Sequence, residues 1–181
     1  ATRRAFENLV RTALDEKVAF VLIAGDVYDG EWKDYNTGLY FVACMGRLRE
    51  AGIRVFIVAG NHDAASAITK SLRLPDNVHI FPSARPATVR LNDVDVAIHG
   101  QSFPTPAVTS DLAGAYPPSV PGCFNIGMLH TSVNGREGHA PYAPCTVAGL
   151  REKGYDYWAL GHVHHREVLA TDTCPQFELK K

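Results

Sequence analysis

The chain repeats one arrangement: a short apolar, β-branched or aromatic run stops at a cluster of residues that can hold a metal or move a proton. Arg54 to Val58 leads to Gly60-Asn61-His62-Asp63, Phe20 to Ala24 to Gly25-Asp26, Phe124 to Leu129 to His130, and Tyr157 to Leu160 to Gly161-His162-Val163-His164. Runs of this length and composition form strands. Helical periodicity lies between them. Ala5, Phe6, Leu9, Val10 and Ala13 recur at three-and-four spacing within a helix expected over Thr2 to Glu16, and a second helix, Asn36 to Ala51, closes at Gly52. Strands alternating with helices make an α/β fold. In such folds ligands gather beyond the carboxyl ends of the strands, where loops converge, and Asp26, Asn61, His130 and His162 all occupy that position.

The middle of the chain departs from simple alternation. A short helix is expected near Ala64 to Arg73, then a strand Val78 to Phe81 and a tight hairpin joining Thr88 to Leu91 with Val94 to His99 through Asn92-Asp93. After a Pro-rich surface stretch, Pro104 to Pro121, come a helix at Thr146 to Lys153 and a return strand near Glu167 to Ala170. There is no internal repeat. At 181 residues the chain is expected to be one domain, residues 1–170, followed by a tail, 171–181, without clear periodicity.

Composition narrows the function classes. An apolar share of 46% and a charged share of 20% describe an ordinary globule, and a net charge of -1 exerts no general pull on nucleic acid or anionic membrane. Any polyanion must be gripped locally. Cys44, Cys123, Cys145 and Cys174 form no CxxC pair in a chain whose size needs no disulfides, which fits reduced thiols in a cytoplasm. No segment reaches the roughly 18 apolar residues of a membrane span.

The polar clusters share a chemistry. Carboxylate and amide oxygens mixed with imidazoles suit Mn, Fe or Zn better than Mg or Ca alone. Two such ions about 3.5–4 Å apart can stabilise both the attacking and the leaving oxygen of an in-line displacement at phosphorus. The nucleophile is then derived from water rather than from a side chain. A lone histidine after a strand is more often a hydrogen-bonded loop residue, but coincidence at every one of these strand ends is a poor explanation.

Taken together, GDVYDG at 25–30, AGNHD at 59–63, GMLHTS at 127–132 and GHVHHRE at 161–167 resemble the motifs of the calcineurin-like metallophosphoesterase superfamily, in family order. Within it the chain is similar to the SbcD and YhaO type of DNA repair exonuclease, through stretches such as NVHIF at 77–81, HGQSF at 99–103 and NGREGH at 134–139. The resemblance implies two packed mixed β-sheets flanked by helices, a four-layer αββα sandwich. It implies two divalent ions, Mn first, with Fe, Zn or Mg as alternatives. Asp26 would bridge them; Asn61, His130 and His162 would complete one ion's shell, and His164 would belong to the other. His62 would be catalytic, steadying the scissile phosphate or protonating the departing oxygen, with Asp29 holding its imidazole. DNA, a homodimer and an SbcC-like ATPase subunit are the partners the resemblance implies, with no membrane.

One family feature has no counterpart. The first motif, an Asp-x-His after the first strand that supplies two ligands of one ion, is missing before Ala5. The sheet is therefore expected to be incomplete at its N-terminal strand, one metal site depleted, and the chain weakly active or inactive. Arg136, His139 and His99 are candidates for substrate contact, against a mobile-loop reading for the first two and a satisfied core histidine for His99. Tyr28 and Trp32 could stack on a base or simply pack; His79 reads as structural and His165 as solvated or supporting. Besides the nuclease, a small-molecule phosphodiesterase or phosphatase fits the same residues, as does, less well, a non-catalytic scaffold or nucleic-acid-binding domain.

Overall fold

Apolar stripes on two N-terminal helices and alternating apolar strands stack into layers in a computed structural model describing residues 2–27, 35–65, 72–134, 141–163 and 167–171. Helix α1 (Thr2–Asp15) places Val10 and Ala13 against Phe41, Cys44, Met45 and Leu48 of α2 (Tyr35–Glu50). Gly52, at φ +72, ends α2: its N–H donates to the Arg49 carbonyl and that of Ile53 to the Leu48 carbonyl, the paired bonds of a Schellman motif. Leu48 and Ile53 are both buried beneath this turn.

Strands β1 (Phe20–Ile23), β2 (Arg54–Ile57) and β3 (Val78–Ile80) form a parallel sheet in the order β1-β2-β3. A second sheet, in the order β4-β5-β6-β7, contains β4 (Ala87–Leu91), β5 (Val96–Gly100), β6 (Phe124–Thr131) and β7 (Tyr157–His162). Its β4–β5 pair is antiparallel and the others parallel, so among the described residues this sheet is mixed and the first is parallel. Phe56, Val58 and Phe81 from the first sheet meet Ile98, Ile126 and Met128 from the second in a buried middle layer. Fully burying side chains of this kind contributes about 1.5–3 kcal/mol each. On the far face of the second sheet, Leu129 and Trp158 pack against helix α4 (Val147–Glu152) and the 3-10 turn Ala113–Ala115. Thr146 caps α4, its hydroxyl accepting the Gly149 N–H at 3.0 Å. This is the αββα order expected from the sequence. Among the described residues β1 pairs only with β2 and lies at the sheet edge.

Several boundaries differ from the sequence expectation. The third helix, α3, spans Asn61–Ala65 rather than starting at Ala64, so Asn61 and His62 lie in its first turn; residues 66–71 fall outside the described set. The hairpin turn has four residues, Asn92 to Asp95, with Asp95 at φ +52, because Leu91 pairs with Val96. Strands β6 and β7 extend through Thr131 and His162, since each supplies the other's ladder partners beyond the apolar run. Among the described residues the return strand is absent: residues 167–171 carry no strand, and Val168 is 67% exposed. No described helix is long and apolar enough to cross a membrane, and Cys44, Cys123 and Cys145 are free thiols.

Candidate metal centre

The carboxyl ends of β1, β2, β6 and β7 meet where the two sheets face each other. In β6 the alternation that sends Ile126 and Met128 into the middle layer also sends His130 inward, at the point where the apolar layer ends. The His130 side chain is 1% exposed. Its Nδ1 lies 2.9 Å from the Ala24 carbonyl oxygen at the end of β1, and that oxygen can only accept, so Nδ1 carries the proton. The ring's Nε2 lone pair then faces Asn61 Oδ1 at 3.0 Å and Asp26 Oδ2 at 3.3 Å. Lone pairs converging on one another repel, and either a second proton on the ring or a metal ion among them relieves this.

The donor set fits an ion. Ligand atoms bound about 2.0–2.2 Å from one centre stand roughly 3 Å apart when they subtend a right angle, and the two separations at His130 are of that size. One donor atom each from Asp26, His130 and His162 lies within 4.8 Å of the others. His162 and His130 stand with ring centroids 5.1 Å apart, and Phe103 closes the far side of His130 edge-on at 5.4 Å. Oxygen and neutral imidazole donors suit Mn, Fe or Zn.

The backbone is shaped to allow this convergence. Asp26 and His162 have φ of +51 and +92, a region that side-chain-bearing residues seldom adopt, so tertiary contacts must hold both in place. Glycine is required around them. A Cβ on Gly60 would lie 2.5 Å from Asp26 Oδ1 and 2.7 Å from His130 Cε1, and one on Gly161 would overlap the Ala24 carbonyl oxygen. The Asp26 carboxylate is also held by the His62 backbone N–H, which donates to Oδ1 at 3.2 Å. Burial opposes its charge, but when His130 carries the second proton its hydrogen bond and charge, with the His62 N–H, prevail and hold the carboxyl below the usual carboxylate range.

Asp26, Asn61, His62, His130 and His162 are therefore brought together, with His62 exposed. Asp29, His164, Arg136 and His139 lie outside the described residues, as do Tyr28, Trp32 and His165. His99 does not join the cluster. It pairs with Gly127, three residues before His130, and so projects from the opposite face of the sheet. There it is fully buried, stacked on Tyr155 at 4.2 Å and bonded to Asn125 and Thr88, which is the satisfied core histidine. His79, in the middle of β3, packs edge-on against Phe81 at 4.9 Å.

Some contributors were not visible in the sequence. The Ala24 carbonyl, which sets the His130 tautomer, is a backbone group without a residue signature. Ser102 takes the Ala59 N–H and donates to the Phe81 carbonyl, joining the end of β2 to the segment after β5. Asp63 accepts backbone N–H groups next to both Asp26 and Asn61; its place beside His62 was the available signal.

Comparison with known proteins agrees with this geometry. The chain is 37% identical over 175 residues to the uncharacterized metallophosphoesterase YhaO of Bacillus subtilis, covering 95% of this chain and 43% of that protein. It is 26% identical over 180 residues to the DNA double-strand break repair protein Mre11 of Methanopyrus kandleri, covering 91% of this chain and 39% of the relative. Mre11 of Saccharolobus solfataricus is also 26% identical, over 176 residues and 44% of its length. The chain thus spans less than half the length of each of these relatives. The family model for calcineurin-like phosphoesterases matches residues 1–166, which takes in every strand of both sheets and the residues gathered around His130, and the chain belongs to that family.

Proposed function

We propose that the chain is a divalent-metal-dependent phosphodiester hydrolase acting on DNA, with Mn as the working ion. The observation that carries the reading is the orientation of His130: with its proton committed to the Ala24 carbonyl, Nε2 converges with Asp26 and Asn61 oxygens on one point. Asp26, Asn61, His130 and His162 would hold one ion. A second would share Asp26 and take His164, which leaves it short of protein ligands within these 181 residues. When bound, such ions supply Lewis acidity toward a phosphoryl oxygen and lower the pKa of water.

The remaining work falls to the chain's own groups. His62 is exposed and its backbone is anchored to Asp26, so its imidazole starts beside the centre and has room to reach a phosphate. There it steadies developing charge or protonates the leaving oxygen, with Asp29 orienting the ring. Arg136 and His139 are assigned to the substrate backbone. DNA as substrate rests on likeness to Mre11 proteins, whose names specify double-strand break repair. The near-neutral charge places the grip on DNA in local contacts rather than in a general field.

The test is Mn-dependent hydrolysis of linear duplex DNA beside simple phosphate monoesters and diesters, with chelator controls. Degradation of DNA whose affinity falls steeply with salt supports the nuclease, because each phosphate gripped releases counterions. Hydrolysis of small esters alone moves the substrate to a small phosphoester; turnover by these 181 residues is expected to be low, and no hydrolysis of any ester by the Mn-loaded chain extended to carry an Asp-x-His motif overturns the proposal.

A further inference from the structure

Asp63 is 4% exposed, and a buried carboxylate is costly unless hydrogen-bonded. One of its oxygens, Oδ2, accepts the Gly60 N–H at 3.0 Å and the Val27 N–H at 3.3 Å. The first bond is local. Gly60 precedes α3, its carbonyl takes the Ala64 N–H at 3.1 Å, and an acidic side chain three residues on reaching back to the cap N–H is half of a capping box. The second bond has no capping purpose. Val27 follows the first strand, 36 residues earlier, and its N–H belongs to the peptide immediately after Asp26.

The two loops therefore exchange bonds. The loop after β1 offers the Asp26 carboxylate to the His62 N–H of the loop after β2, and that second loop offers the Asp63 carboxylate to the Val27 N–H of the first. Fixing the peptide after Asp26 fixes the left-handed backbone on which the Asp26 side chain is mounted. Fixing the Gly60 N–H sets the approach to Asn61.

We propose that Asp63 is a positioning residue that clamps the Asp26 loop to the Asn61 loop and so presets the ligand spacing of the metal centre; this rests on the metal-binding reading above. It touches neither substrate nor ion. Losing supporting partners of this kind lowers metal affinity by about 10–100-fold.

The experiment separates the clamp from the metal. Amide hydrogen exchange in the metal-free 181-residue chain reads the Val27 and Gly60 N–H groups directly, and Mn titration followed by the signal of the free ion reads affinity. In wild type both amides are protected; Asp63→Ala removes that protection while the sheet amides keep theirs, and weakens Mn binding about 10–100-fold. Asp63→Asn keeps a neutral, weaker acceptor, and restores part of both. At saturating Co, the visible spectrum of Asp63→Ala shifts with altered ligand geometry, which a loss of global stability alone would not cause.

Unprotected Val27 and Gly60 amides in wild type overturn the clamp, as does wild-type affinity and Co spectrum in Asp63→Ala. If Asp63→Ala does not fold, Asp63→Asn decides: intermediate protection with affinity lowered about 3–10-fold supports the clamp, given that charged acceptors bond roughly twice as strongly as neutral ones, and wild-type values in both readouts overturn it. Protected amides in a wild-type chain that binds no metal uphold the clamp and remove the metal-centre reading instead.

Discussion

His130 Nε2 lies 3.3 Å from Asp26 Oδ2, joining the end of a strand in one sheet to the end of a strand in the other. The contact uses the nitrogen left free by the Ala24 carbonyl, so the same ring bridges the sheets and can serve as the proposed ligand.

His130→Ala removes both functions. Mn affinity should fall by more than the roughly 10–100-fold that loss of a supporting partner costs, as measured by titration of the free ion. His130→Asn would keep some sheet bridging but not the imidazole donor, and it should bind Mn no better than the alanine variant. Mn affinity unchanged in either variant would contradict the assigned ligand set.

Gly161→Ala tests the seam between sheets. The added Cβ would overlap the Ala24 carbonyl oxygen, which is backbone and cannot swing aside. Overpacking of this kind costs about 1–3 kcal/mol and sometimes more, and here it also displaces His162. Urea unfolding should show the lost stability, and Mn titration a parallel loss of affinity. Unchanged values in both would mean that β1 and β7 are not held this closely.

His62→Ala should leave metal affinity and unfolding nearly unchanged while turnover falls by about 10²–10⁴-fold, the usual contribution of a positioned acid or base. Equilibrium Mn titration and hydrolysis of a phosphodiester measure the two effects separately. A variant that turns over at the wild-type rate would take His62 out of the chemistry.

His99 should make the fold sensitive to mild acid. Asn125 Nδ2 donates to the Val120 and Cys123 carbonyls, so Asn125 Oδ1 accepts from His99 Nε2, and Nδ1 is left to accept from Thr88. The ring is neutral, and burial pushes its pKa below 6.5, outweighing the opposing Asn125 bond. The unfolded chain takes up a proton near pH 6.5 while the folded chain resists it. Stability is thus full above that pH and is lost as pH falls toward the folded value, by at most about 1.4 kcal/mol per pH unit for one proton. Urea midpoints between pH 7.5 and 5.5 should fall less steeply in His99→Gln. Some slope will remain, since burial lowers the His79 pKa as well. Equal slopes in the two proteins would exclude His99 as a contributor.

Much of the architecture was readable locally. Continuous apolar runs and helical stripes located β1, β2, β6, β7, α1 and α2, because a strand covered on both faces stays apolar throughout while a helix covered on one face keeps a stripe. Gly52 marked the end of α2 for an equally local reason, the left-handed residue a Schellman turn needs. Strand lengths were less readable. His130 and Thr131 extend β6 because Gly161 and His162 pair with them, and the described residues 167–171 carry no strand.

The linear order of residues determined which chemical groups stand at strand ends, since an apolar run broken by Asp26, Asn61, His130 or His162 is written into a few consecutive positions. Only the packing of one sheet on the other decided which of these groups share a point in space. That packing assigned the His130 proton through a carbonyl that no side chain announces, while register within each sheet turned His130 inward and His99 to the opposite face and set the Asp26 and Asp63 loops side by side. Period and composition act over a few residues, whereas a ligand set is fixed by distances between segments far apart in the chain.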